Sequence, residues 1–454
     1  MKFAIAALPA LLVTSAAMAA DMTQPQVVAQ GPGYTLSATG GVIAFGLPAQ
    51  DTGVNFSGNG TFDPTTNVNA LGLQGGLSAA IGLSSNQNYD LSLGISVFGA
   101  MASGTSTVNS NFTGQGTVVI PGYTTPTGTI QLNAGAGSAR SQITGAGGLN
   151  SDTNTSTVFA NGGTSDALAA NFPGGSFSQG TASYTPTSGI ATGAIASSEG
   201  GLYMATGDLS GLKVSSTESQ SIIYGGADIN LAASSNISEN AVIQAYIGPS
   251  YRYLGQHNTT TISATAPALT NPTYSDLSMP TYTDTRTEDL NTNYFGGLGG
   301  FNYTTKVKDN LSLTLGVSAG VYSAWADLTG SETFGLGGGS CVTSCNPSTS
   351  PLVPQQTVNN ANGVSGTWNG MAFSGGLSGA VTMAMNDKTS VSLGGSVDYL
   401  SAVPVATHTS GVSVTGGGTT GAASAAGPGT GAATTITTAG MATYGLTLSF
   451  NGHF

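Results

Sequence analysis

Charge is what this sequence has least of. Asp, Glu, Lys and Arg together make up 6% of its 454 residues, against about a quarter in an ordinary soluble domain. A helical surface laced with ion pairs is therefore excluded. Bases are scarcer than acids, with 8 Lys plus Arg against 20 Asp plus Glu. That excludes nucleic acid as a partner, because neutralising phosphates takes clustered Lys and Arg. The chain has 3 His and 2 Cys. The cysteines, Cys341 and Cys345, lie in Cys-Val-Thr-Ser-Cys with no two further ligands nearby to complete a zinc site. In an exported chain they read as a disulfide closing a small loop. Long apolar runs are also missing: beyond the N-terminus nothing approaches the roughly 18 residues a membrane helix needs. If such a chain enters a membrane it must do so as a closed sheet, because only helices and closed barrels satisfy every backbone polar group in lipid.

Glycine is abundant, at 69 residues, in company with Ser, Thr and Asn. The first residues, Met1-Lys2-Phe3, lead into an apolar run from Ala4 to Val13 and then Ala17-Met18-Ala19. A basic start, a short apolar stretch and an A-x-A site predict a secretory signal peptide over 1–19, cleaved after Ala19, with Ala20 as the alternative.

The strongest pattern is alternation. The chain ends Tyr444, Leu446, Leu448, Phe450, Gly452, Phe454 on one face, with Gly445, Thr447, Ser449, Asn451 and His453 between them. Period two means a strand with one apolar and one polar face. Leu71 to Leu83 and Tyr89 to Met101 alternate in the same way around Ser84-Ser85-Asn86-Gln87-Asn88, a turn by composition. The unit recurs with turns at 232–240, 304–310 and 386–390, and an opening strand from Tyr34 to Leu47 completes the set. These make about ten strands, joined alternately by short turns and by long connections at 48–68, 103–216, 255–289, 327–366 and 404–439.

An export signal, dyad strands and the terminal aromatic Phe454, in phase with Phe450 and Leu448, together resemble the outer-membrane β-barrels of Gram-negative bacteria. The resemblance covers the whole mature chain. It implies an all-β, transmembrane, antiparallel up-and-down barrel over 34–454, with short periplasmic turns, long extracellular loops and a periplasmic segment at 20–33. It also implies residence among outer-membrane lipids, and insertion by the barrel assembly machinery, which reads Phe454, Phe450 and Leu448. Aromatics near predicted strand ends, such as Tyr251, Tyr294, Tyr322, Trp325, Trp368 and Tyr399, are expected to form a girdle.

Inward positions are mostly Gly, Ser and Thr, too small to fill a ten-stranded interior of the kind that eight strands can fill. The space is expected to hold water or an inserted segment, and the Gly/Ser/Thr-rich connection 103–216 is the candidate for insertion. The inward polar and charged residues are Glu218, Gln220, Asp228, Arg252 and Asp398. A hairpin turning at 232–240 would set Gln220 opposite Arg252 with Glu218 diagonal to it. That arrangement reads as a lumen salt bridge or as a weak selectivity filter.

Chemistry is not signalled. Some barrels of this size are enzymes: the omptin proteases use Asp and His at the outer rim, and other barrels pair Ser with His. Here His257, His408 and the run Asp284 to Asp289 lie near rims without a specific spacing, so no catalytic residue is assigned. The acidic run lacks calcium-loop spacing, and Gly337 to Gly339 lacks the strand-to-helix context of a nucleotide loop. No metal and no cofactor is expected. The leading expectation is a porin-like passive channel for small solutes, partly occluded by its long loop. The rival is a surface-exposed structural or adhesion protein on a non-conducting barrel.

Overall fold

The computed structural model describes residues 33–85, 89–120, 122, 129–135, 138–144, 155–161, 165–171, 177–185, 190–197, 202–265, 281–337, 340–341, 352–353, 356–358, 364–409, 413–415, 423–427 and 433–454. The signal-peptide reading and Cys345 of the expected disulfide lie outside these residues.

Ten long strands form one closed ring. They are β1 (Tyr34–Gly46), β2 (Asn69–Ser85), β3 (Asp90–Asn109), β4 (Lys213–Ser238), β5 (Ala241–Thr265), β6 (Thr281–Lys308), β7 (Leu311–Gly337), β8 (Val364–Asn386), β9 (Thr389–Thr409) and β10 (Ala433–His453). Each pairs antiparallel with its neighbours in sequence, and β10 pairs with β1 from Thr35↔His453 to Gly46↔Ala442. The architecture is thus the expected all-β up-and-down barrel of ten strands. Both chain ends of the barrel meet at the turn end, where Tyr34 and Phe454 exchange two backbone hydrogen bonds of 3.0 Å and their rings stack at 5.3 Å.

Three of the hairpins close in two residues, at Glu239-Asn240, Asp309-Asn310 and Asp387-Lys388, each beside a bulge. Local side-chain bonds shape them. Asn386 Oδ1 accepts from Lys388 N at 2.8 Å and Ser238 Oγ from Asn240 N at 3.4 Å, the Asx and ST geometry these residues favour. The turns are shorter than the expected 232–240 and 304–310. The alternation continues through Ala232, Ser234 and Ile237, so the strands do too.

The strands also run farther at the loop end. The segments 255–265, 281–289 and 327–337, expected as loop, are wall in β5, β6 and β7. Much of 103–216 is sheet as well: the strands 165–171, 177–185, 190–197, 202–208, 111–120 and 55–61 lie side by side in that order.

The outer surface divides into two zones. Leu73, Leu77, Ile95, Ile229, Ile247, Phe301, Val317, Leu377, Leu393, Leu446 and Phe450 face out and are exposed. They form a continuous apolar belt that runs from Tyr34, Tyr303 and Phe454 at the turn end up to Met101, Ile223, Phe295, Trp325, Met371 and Tyr399. Above it the outward residues of β4 to β7 become Ser and Thr, as in Ser215, Thr217, Ser219, Thr259, Thr261, Thr283, Thr285 and Thr287. About ten residues of β4 rise past the belt, roughly 20–25 Å at the usual rise and tilt. Tyr294 and Tyr322, expected in an aromatic girdle, are instead buried inside the barrel, and Trp368 also packs against its interior clusters. The continued register places all three on the inward phase.

Candidate functional site

The lumen has two levels. At the turn end the lining is small and polar. Thr39 meets Ser449 at 2.9 Å, Thr304 meets Thr314 at 3.0 Å and Thr382 meets Ser392 at 2.8 Å. Asn302 donates to Gln244 at 3.1 Å. Ser78, Ala80, Ser96 and Thr382 keep partial solvent access.

Midway up stands a buried ion pair. Arg252 on β5 donates two bonds to Asp228 on β4, Nη1 to Oδ1 at 2.7 Å and Nη2 to Oδ2 at 3.1 Å. Its guanidinium lies over the rings of Phe98 (4.8 Å) and Tyr322 (5.9 Å), a stacking that Arg's planar, weakly hydrated head favours. The row Phe98–Gly226–Arg252 runs across three strands. Gly226 is needed there: a Cβ at this position would meet the Phe98 ring at 2.7 Å. The bidentate bond and the stacking hold the guanidinium in one pose across the lumen. Arg252 therefore pairs with Asp228 and not with Glu218. The two-residue turn at 239–240 slides the register, so Gln220 faces Asn258 and Glu218 faces Thr260. Gln220 donates to Gln256 at 3.1 Å. Asp398, on β9, lines the same level, and its carboxylate overlies Gly376, where a Cβ would come within 2.2 Å of it.

Above this level the lumen is filled by the chain itself, from three connections. Part of 103–216 is one of them: Phe112, Val118, Ile120, Tyr203, Ala205, Leu209 and Leu212 pack against the inward side chains Val214, Ile262, Ala264, Tyr282 and Phe334 of β4 to β7. The connection between β1 and β2 is another, with Val54 in the same cluster. The third is the upper arm of β9 and β10, which leans inward. Ala402 O accepts from Tyr294 Oη and Pro404 O from Gln256 Nε2, each at 3.0 Å. Ala406 and Ile436 pack on Leu290, Ala326 and Leu328.

A cluster of buried ionisable groups ties these segments to the wall. Arg286 on β6 pairs with Asp284 at 2.8 Å, reaches Glu332 on β7 at 3.4 Å and donates to Thr52 O of the first connection at 3.1 Å. Glu288 meets His408 of the leaning arm at 3.2 Å. Glu218 accepts from Thr66 Oγ1, while its Oε1 finds no hydrogen-bond partner among the described residues. Arg286, Asp284, Glu218 and Glu332 are at most 2% exposed. They lie beyond the apolar belt, which ends at Ile223 on β4.

Burial pushes the Glu218 carboxyl up to about 7, against the Thr66 hydroxyl bond, which lowers it, and with a further upward push from Glu288. Asp284 is raised by burial and pulled back by Arg286. Burial thus favours the neutral form of Glu218 and of Asp284.

Sequence reading assigned 281–289 to a loop and so placed Asp284, Arg286 and Glu288 at a rim; it left Glu332 unassigned. The alternation Thr283-Asp284-Thr285-Arg286-Thr287-Glu288 is a strand signal, with β-branched residues at period two, but it carries no hydropathy contrast. His257 and Asp289 approach to 2.7 Å on the outside of the wall, both more than half exposed.

No family model matches the chain, and no curated protein matches it in sequence. Solved structures with overall likeness include a FadL homologue from Pseudomonas aeruginosa, with 8% identity, 92% of this chain and 90% of that chain covered, and a TM-score of 0.22. The outer membrane protease OmpT from Escherichia coli shows 8% identity, 95% and 100% coverage and a TM-score of 0.27. The toluene transporter TodX from P. putida shows 7%, 94% and 91%, and 0.24. Similarity this slight carries no argument; the function has to be argued from the belt, the lumen and the mouth of this chain.

Proposed function

We propose that this chain is an outer-membrane β-barrel that passes small solutes through its lumen and is closed at its outer mouth by its own loops. The belt supports membrane residence. An exposed apolar surface that encircles a ten-stranded ring is far larger than the few hundred Å² a soluble monomer tolerates, and lipid is the solvent that suits it. The turn end then faces the periplasm and the loop end the outside.

The observation that carries the channel reading is the contrast inside the barrel. A small-residue, partly solvated lumen lies beneath a plug, and separate chain segments hold that plug through a few polar bonds: Arg286 to Thr52, Thr66 to Glu218 and His408 to Glu288. Opening requires those bonds to yield while the ring stays intact. Arg252 and Asp228 lie on the path below, with their charges mutually compensated, which suits weak ion preference.

The test is single-channel conductance of refolded protein before and after removal of 111–208. Rare, small openings that become stable steps after deletion are expected. Silence in both, from protein with heat-dependent gel mobility, would defeat the channel reading and favour a non-conducting barrel that displays its loop-end sheets. The reading assigns no catalytic role to the exposed His257–Asp289 pair, and no cofactor or metal.

A further inference from the structure

The closure of the lumen does not begin with the inserted connections. Nearer the turn end, one packed apolar cluster draws a residue from every strand of the ring. Ile43 and Phe45 come from β1, Ile222 from β4, Leu254 from β5, Tyr294 from β6 and Tyr322 from β7. Ala70 of β2, Ala100 of β3, Ala372 of β8, Leu400 of β9 and Met441 of β10 complete the circle. All of them are buried. Among the described residues of this cluster, none belongs to 103–216. The layer is therefore built by the ring, and withdrawal of the inserted sheet would uncover it without removing it.

Its height can be read along the chain. Residues of the layer are next in sequence to outward residues at the upper edge of the apolar belt: Ile222 to Ile223, Tyr294 to Phe295, Leu400 to Tyr399. A strand with lipid on one side and water on the other alternates apolar with polar. Here the inward member of each pair is apolar too, because it meets side chains from across the ring instead of water. Tyr294 and Tyr322 pack edge to face at 6.5 Å. Their hydroxyls are engaged at 3.0 Å by Ala402 O and Ser250 Oγ. What the layer sets across the lumen is hydrocarbon and aromatic ring.

We propose that this layer is a septum that sets which solutes the channel passes: small uncharged molecules cross, and ions of the same size are held back. An ion entering an apolar constriction gives up its hydration without compensation, a loss far larger than that of a neutral molecule of equal size. The inference rests on the channel reading above and names the solute class for it. Leu254 and Met441, on opposite sides of the ring, are specificity-determining residues in this account.

The test uses full-length protein in liposomes. Swelling is followed in isotonic arabinose and in potassium arabonate, the same carbon skeleton carrying a carboxylate, with valinomycin to admit the potassium. Arabinose is expected to enter wild-type liposomes about ten-fold faster or more. Leu254→Ser, or Met441→Gln should the first not fold, places a hydrogen-bonding group in the septum. Either should bring the two rates to within about three-fold of each other. Val118→Ser, in the core of the inserted sheet, should change both rates together and leave their ratio as it was.

Equal rates in the wild type, or a ratio unmoved by a folded septum variant, overturn the septum and leave the channel standing. A ratio that Val118→Ser shifts as far as Leu254→Ser does moves the selectivity to the inserted sheet and overturns the septum as well. No swelling in either solute, for the wild type and for every variant, overturns the channel reading, and the septum with it.

Discussion

The two halves of this barrel are built on opposite rules. Toward the turn end the outside is Leu, Ile, Val and Phe and the inside is Ser, Thr and Gly. Toward the loop end the outside is Ser and Thr, and the inside is a packed core of Tyr203, Tyr282, Phe334, Val118 and Ile120 around buried charges. One continuous sheet carries both. The lower half suits an apolar surrounding and a wet interior; the upper half is arranged like a water-soluble β domain. The apolar side of the wall changes from the outside to the inside at the height of Ile223, Phe295 and Trp325, where the proposed membrane placement puts the edge of the lipid.

If that comparison holds, substitutions inside the upper half should be costly and those inside the lower half nearly silent. The largest effect is expected for Arg286→Met, which leaves Asp284 and Glu332 buried without their cation. Breaking a buried pair in this way costs about 3–5 kcal/mol. Hydrogen exchange over 47–68 and 401–409 should accelerate while heat-dependent gel mobility of the barrel persists. Unchanged exchange in folded protein would show that the cluster does not hold the mouth.

The next largest effect concerns pH. Glu218 stands opposite Thr260 in the β4–β5 ladder, and its carboxyl shares the buried cluster with Glu288, Asp284, Arg286, Glu332 and His408. Its carboxyl is raised when the mouth is closed, so closure is favoured when the group is protonated. That contribution is complete below about 4.5 and is lost as pH rises to about 7, a difference of up to about 3 kcal/mol. Conductance should therefore rise over this window, and Glu218→Gln should flatten that rise. An identical rise in the variant would move the titration to another group.

Tyr294→Phe removes one bond to the leaning arm at Ala402, worth about 1 kcal/mol, and should raise opening frequency a few-fold. Smallest of all, Ser392→Ala in the lower lumen deletes a bond to Thr382 in a partly hydrated setting. It should cost about 0.5 kcal/mol or less in midpoint urea stability and leave gating unchanged. A cost equal to that of Arg286→Met would erase the distinction between the halves.

The same division explains what could be read in advance. In the belt, apolar and polar residues alternate, so Leu71 to Leu83 or Tyr444 to Phe454 disclose both a strand and its phase. Above the belt both faces are polar or the apolar face points inward among loops. There Thr283 to Glu288 alternates in shape without alternating in hydropathy, so the sequence alone reads as loop. Arg252 and Asp228 were recognisable as lumen charges because they sit low enough for the belt to set their phase. Their pairing was not, because register depends on a two-residue turn at Glu239-Asn240 that composition alone had spread over nine residues. The cluster around Arg286 draws on β4, β6, β7, the first connection and the β9–β10 arm, and no local pattern foretells a meeting of five segments.

The seam between β1 and β10 has a consequence for how the molecule is made. Thr35 and His453 are partners more than 400 positions apart, so the most distant contact in the ring is also the one that completes it. Until it forms, β1 and β10 each present a row of unpaired amide and carbonyl groups, an edge that invites pairing with any other chain. Loop-closure entropy makes such a contact slow to find. Assembly of this barrel is thus a race between its own last seam and an intruding strand, and variants that delay the meeting of Tyr34 with Phe454 should aggregate before they lose any stability in the finished fold.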